Sequence, residues 1–171
     1  MSDTGAVCSV CGERHPLEHI ELVHHRPDVI AALSKGERSD RCKESDDLCA
    51  VWGQGDEAHR YFVRGVLPLP VRGRDAPYRT GAWVEVDEAA FQRIVELWKE
   101  PDQSQEPPFR AILANAIPMH ESTLGLEVRL QLTGPTSRPD IFVLDACHTI
   151  HREQTEGISE HRAYEYTRLV T

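Results

Sequence analysis

In the segment Leu124 to Leu132 apolar and polar side chains alternate, with Leu126, Val128, Leu130 and Leu132 set against Glu127, Arg129 and Gln131. Successive side chains leave a strand on opposite faces, so a period of two predicts a strand with one buried and one wet face. Tyr61 to Val71 is a longer run of β-formers, and Gly81 to Val86 and Ile141 to Leu144 are shorter ones. Leu48 to Trp52 is a brief apolar run that ends at the turn Gly53-Gln54-Gly55-Asp56. Leu48–Trp52, Tyr61–Val71 and Gly81–Val86 together predict an antiparallel meander. Pro68 and Pro70 cannot donate to a ladder, so the distal end of the long strand should lie at an edge or leave the sheet.

The period changes to 3.6 at Asp87. Phe91, Ile94, Val95 and Trp98 recur at helical spacing behind an Asp87 cap, with Glu88 in the first turn where the helix dipole favours negative charge. A shorter helix should follow Pro27, carrying Val29, Ile30 and Leu33 and ending between Ser34 and Arg38. A last helix should follow Ser159, with Ala163, Tyr166 and Val170 on one face. Phe109 to Ile117 fits strand or helix, and 101–108 reads as a polar, linker-like loop. Strands come in runs and do not alternate with helices. That order predicts an α+β fold, mainly an antiparallel sheet with flanking helices. One domain is expected over 1–171: a cysteine- and histidine-rich opening at 1–26 and an α+β body at 27–171.

Composition narrows the function classes. The 40% apolar and 27% charged fractions are ordinary for a globular chain. No apolar run approaches a membrane span, and the first residues carry neither a basic nor an apolar signal region, so the expected compartment is the cytoplasm. The net charge of −9 repels phosphate backbones, which argues against a nucleic-acid partner and suits a protein partner of basic character. The densest cationic run, Arg60, Arg64, Arg72, Arg74 and Arg79, reads as a solvated surface. Trp52, Trp83 and Trp98 read as core material.

Chemistry concentrates in the cysteines. Cys8-Ser9-Val10-Cys11-Gly12 is a C-x-x-C turn from which two sulfurs can reach one metal ion, with Gly12 free to adopt positive φ. In a reducing compartment such cysteines favour zinc over disulfides. Cys42 and Cys49 can supply the remaining ligands, while His15, His24 and His25 compete. A thioredoxin-like redox role is disfavoured because the turn does not link a strand to a helix in a βαβ unit. A second cluster, His148, His151 and Glu153, suggests a metal-dependent hydrolase, although its spacing is not that of H-E-x-x-H. Caps or core hydrogen bonds are the more common use of such histidines, and Cys147 behind an apolar strand reads as a buried, inert thiol. Nucleotide-binding glycine motifs and the G-x-S-x-G elbow do not occur.

The chain resembles an uncharacterised bacterial family, domain of unknown function 2199. The resemblance rests on Cys8-x-x-Cys11-Gly12-x-x-His15, Asp46-Asp47-Leu48-Cys49, Phe62-Val63-Arg64-Gly65-Val66-Leu67 and Gly81-x-Trp83-Val84. It continues through Pro107-Pro108, Leu113-Ala114-Asn115, Thr123-Leu124-Gly125-Leu126, Arg138-Pro139, His148, Glu153-Gln154 and Gly157-Ile158. Two places depart from the family pattern: His148-Thr149-Ile150 stands for a His-Pro-Leu run, and Met119-His120 replaces a tyrosine expected after Pro118. The resemblance implies no catalytic residue. Cys42 lies outside the pattern, which favours His15 beside Cys8, Cys11 and Cys49. The expectation is a cytoplasmic, zinc-stabilised binding protein. Its alternatives are the hydrolase and nucleic-acid binding through the knuckle.

Overall fold

A computed structural model describes residues 5–16 and 20–170. Residues 1–4 and 17–19 of the expected opening lie outside these, as does Thr171. A small hairpin opens the chain, β1 (Gly5–Val7) against β2 (Arg14–Pro16). Two short helices follow, α1 (Asp28–Ala31) and α2 (Lys35–Arg41). A single helix was expected here, but Ser34 breaks it and starts α2 with a capping box, its hydroxyl on the Glu37 N–H and the Glu37 carboxylate on the Ser34 N–H.

The main sheet runs β3 (Cys42–Glu44), β4 (Leu48–Val51), β5 (Arg60–Leu69), β6 (Tyr78–Val86), β7 (Phe109–Leu113), β8 (Glu127–Gln131) and β9 (Asp140–Val143). Neighbours are antiparallel, and β9 returns to pair in parallel with β5 at Val66–Asp140. β5 to β9 thus curl into a small closed barrel, with the β3–β4 hairpin extending from the first half of β5. Gly65 sits at the closure, where a Cβ would lie 2.9 Å from both Ile141 Cγ1 and Pro139 O. The meander of β4, β5 and β6 is as the pattern predicts. Pro68 stays paired with Arg79, and its carbonyl accepts from Gln154 Nε2. On the side of β5 away from β6 no described strand is paired at Pro68, so the missing N–H leaves no ladder partner unsatisfied there.

Alternation decides what fills the barrel. Val128 and Leu130 of β8 point inward with Val63, Leu67, Val84, Leu113 and Ile141, all buried in one cluster. Removing each such side chain from water contributes about 1.5–3 kcal/mol. α3 (Glu88–Leu97) adds Ile94 and Leu97 to this cluster, α4 (Thr149–Glu156) adds Ile150, and α5 (Glu160–Arg168) adds Ala163 and Tyr166. Asp87 caps α3 by accepting from the Ala90 N–H at 2.7 Å. Val95, expected on the buried stripe, is exposed, and Leu97 takes its place.

The segment 101–108 is more ordered than a linker. It contains a short 3-10 turn, Gln103–Gln105, whose buried Gln103 donates to the Leu97 and Trp98 carbonyls that end α3. On the outer face of β5 and β6 a second apolar cluster joins Ile30, Cys49, Val51, Phe62, Trp83 and Ala114. Trp83 is buried there, but Trp52 is 46% exposed and is not core material. Asn115 ties this face together, accepting from the Trp83 N–H and donating to Arg26 O and Asp28 Oδ1. No helix among the described residues is long and apolar enough to cross a membrane.

Candidate metal centre

The β1–β2 hairpin is closed by the C-x-x-C turn. The Gly12 N–H donates to Cys8 O, the Cys8 N–H donates to Glu13 O, and Gly12 adopts φ +73°, which a side chain would resist. Inside the turn the Val10 N–H points at Cys8 Sγ, 3.4 Å away. Backbone N–H groups, that of Cys11 first, favour the thiolate over the opposing effect of burial and lower the Cys8 thiol to about 6. The tight turn thereby presents a thiolate where a metal needs one.

His15 leaves β2 on the same side. Its Nε2 is 3.1 Å from Cys11 Sγ, while its Nδ1 is buried with no hydrogen-bond partner among the described residues. The fourth member comes from the far end of the chain. His161, in the first turn of α5, brings Nδ1 to 3.4 Å from Cys8 Sγ. One ligand atom from each of Cys8, Cys11, His15 and His161 lies within 4.8 Å of the others, so this group could hold a metal ion. A tetrahedron with bonds of ~2.3 Å to sulfur and ~2.0–2.1 Å to nitrogen has edges of roughly 3.3–3.8 Å. The Cys11–His15 and Cys8–His161 approaches of 3.1 and 3.4 Å sit near that size, and two thiolates with two imidazoles are a donor set of the kind that takes zinc.

The surroundings orient these ligands. His161 Nε2 faces Glu165 Oε1 at 3.5 Å, one helical turn on, so the other nitrogen is turned toward the sulfurs. Tyr164 packs edge-on against the His15 ring, with centroids 3.5 Å apart.

Cys42 and Cys49 do not join the group. They lie on the β3–β4 hairpin, Cys49 opposite Phe62 and buried in the outer apolar cluster against Cys42. Burial first, then the charges of Cys42 and Glu44, push the Cys49 thiol up to about 12. Such a thiol is a core side chain and not a ligand. His24 and His25 are also elsewhere, and His24 Nδ1 is spent on Gly81 O. Sequence reasoning missed His161. The signals available were a histidine two residues after a helix-capping serine and a glutamate at i+4, and neither says which loop the helix will meet.

The second expected cluster does not assemble. His148 caps α4, its Nδ1 accepting from the Ile150 N–H and its Nε2 donating to Ser122 O, so neither nitrogen is left for a metal. Glu153 turns away into a different network. It accepts from Tyr166 Oη at 2.6 Å and Arg162 Nε at 2.6 Å, and lies 3.2 Å from His120 Nε2. Burial alone raises the Glu153 carboxyl, but hydrogen bonds from His120, Tyr166 and Arg162 outweigh it and hold the group below the usual carboxylate range. His151 stands on the same helix outside this network, and among the described residues these three form no metal-holding group. Cys147 is exposed, not buried as expected. The two departures from the family pattern meet here: His120 Nδ1 and Thr149 Oγ1 are 2.9 Å apart, beside Met119 at φ +67°.

Other residues that carry the resemblance gather on the outer barrel wall. The Arg64 N–H donates to Asp47 O, and the Val66 N–H donates to Pro139 O. Arg64 is 7% exposed and gives Nη1 to Asp46 O, yet among the described residues Nε has no hydrogen-bond partner and no carboxylate pairs with it. An unpaired buried charge costs on the order of several kcal/mol.

Fold and site together define a small α+β barrel protein in which a Cys2His2 group that could hold a metal ion joins the β1–β2 hairpin to α5. The chain belongs to the family described as an uncharacterized protein conserved in bacteria (DUF2199), whose model matches residues 7–158. His161 falls just outside that match. No curated protein and no solved structure matches the chain.

Proposed function

We propose that Cys8, Cys11, His15 and His161 hold a structural zinc ion, and that the protein works by binding a partner without catalysis. The observation that supports this is the completeness of the set. Four protein ligands fill a tetrahedron and leave no position for water or substrate, as structural zinc sites do and catalytic ones do not. The partner is a protein of basic character, matched to the net charge of −9, and the compartment is the cytoplasm, where thiolates stay reduced.

Metal analysis of the full chain purified without added zinc tests the first half. Zinc near one equivalent, lost together with thermal stability in Cys8→Ser, is expected; a metal-free wild type of unchanged stability refutes it. The alternative hydrolase at His148, His151 and Glu153 has no geometric support, since His148 is saturated as a cap. Nucleic-acid binding through the knuckle predicts a salt-dependent affinity that the acidic balance opposes.

A further inference from the structure

On the outer wall of the barrel a groove of about 490 Å³ runs over β5 and β6. Arg138 and Asp47 line one end, Val66, Val23 and Gly81 the middle, and Arg79 the other end. Arg64 lies buried beside the first end without lining it. It leaves β5 on the same face as Val66, two residues along, and the charges that act on it are those of Arg138, Asp47 and Asp46.

Two guanidinium groups, Arg79 and Arg138, therefore line this cleft beside the carboxylates of Glu21 and Asp47, a third, Arg64, lies buried behind its wall, and none of the three is fully used. Arg138 gives Nε to Asp47 Oδ1 at 2.6 Å, but its Nη1 and Nη2 donate to no described residue. Arg79 makes no side-chain hydrogen bond or ion pair with a described residue, and the charges of Glu21, which lines the same groove and accepts the Arg79 backbone N–H, and of Asp140 act on it. Arg64 is buried with one carbonyl acceptor and an unpartnered Nε. Burial, and next the neighbouring Arg138 charge, make its cationic form harder to hold. Asp47 and Asp46 favour the Arg64 cation but do not outweigh these two effects, and an anion arriving in the groove adds to their side.

We propose that this groove is a binding site for a small organic oxyanion, a carboxylate or a phosphate monoester. Arg138 and Arg64 take its charged head, and its body lies along Val66 and Val23 toward Arg79. Thr136, on the loop before β9, lines the same end and offers a hydroxyl donor, while the Ser137 hydroxyl beside it is held by Thr133 Oγ1 at 2.6 Å. The site is separate from the metal group and does not depend on the zinc reading.

The test is amide chemical-shift titration of the full-length 15N-labelled chain with phenyl phosphate, benzoate and inorganic phosphate. Saturable shifts confined to Val23, Val66, Gly81 and Ser137 are expected for phenyl phosphate or benzoate at a Kd of about 1 mM or tighter. Whichever of the two binds tighter identifies the head group; tighter binding of inorganic phosphate overturns the role given to the apolar floor. Arg138→Gln should weaken binding about 10-fold, and Arg110→Gln, at an exposed arginine outside the groove, should not. Arg64→Met should weaken binding while its melting temperature stays level or rises, because an unpaired charge leaves the interior. The proposal is overturned if none of the three compounds saturates by about 10 mM, if Arg138→Gln binds as wild type does, or if Arg64→Met loses stability and keeps affinity.

Discussion

His161→Ala removes the one metal-facing residue contributed by α5 and leaves the hairpin's own three in place. Structural zinc is worth ~10–16 kcal/mol in apparent terms in small metal domains, so an even share per ligand is about 3 kcal/mol. That share corresponds to a roughly 100-fold loss of zinc affinity. The effect on folding should be local. The described hairpin has just three residue pairs, whereas the barrel core of Val63, Leu67, Val84, Val128, Leu130 and Ile141 is built without it. An isolated two-stranded hairpin is marginal in water at best. Competition with a chromophoric chelator should therefore show the affinity loss, and hydrogen exchange should show residues 5–16 losing protection while β5, β6 and β8 keep theirs. Cys49→Ser serves as the comparator: it should destabilise the outer apolar cluster and leave zinc affinity untouched. If His161→Ala holds zinc as tightly as wild type, or if Cys49→Ser loses zinc, the assignment of the fourth ligand is wrong.

Glu153→Gln should cost about 1.5–3 kcal/mol in chemical denaturation, because Arg162 and Tyr166 lose a half-buried charged partner. Since the folded Glu153 carboxyl lies below its unfolded value, its stabilisation is present above about pH 4.3 and fades as pH falls through the lower folded value. The wild-type and Glu153→Gln stability curves should thus converge in acid; a gap that stays constant to pH 2 contradicts this. Alkylation of the native protein should label exposed Cys147 readily and Cys49 only after unfolding, as peptide mapping can show. Gly65→Ala forces a Cβ against Pro139 O and Ile141 where β9 closes on β5, costing about 1–3 kcal/mol. A melting-temperature drop of roughly 2–12 °C should follow, and no drop means the closure is looser than described.

Local pattern carried much of the fold. The alternation from Leu126 to Leu132 and the stripe on α3 are one-dimensional signals, because a strand or helix imposes its own period on whatever it buries. Short segments were less legible. Phe109 to Leu113 is too brief to show a period, and Cys42 to Glu44 is strand only because β4 offers it a ladder. Gln103 looks like any polar loop residue until α3 presents two carbonyls to it.

For the site, sequence determined what is local and left the long-range partners open. Cys8, Cys11, Gly12 and His15 lie within eight residues, so turn geometry alone can bring their side chains to one point. Cys42 and Cys49 had the right chemistry, yet strand alternation turned Cys49 into an apolar layer against Phe62. His161 had a fitting side chain in an uninformative context, and it meets Cys8 across 153 positions only because α5 packs its Ala163 and Tyr166 against the barrel core. Spacing fixes a ligand set when the ligands share one turn. When they come from opposite ends of the chain, the packing that buries their neighbours makes the choice.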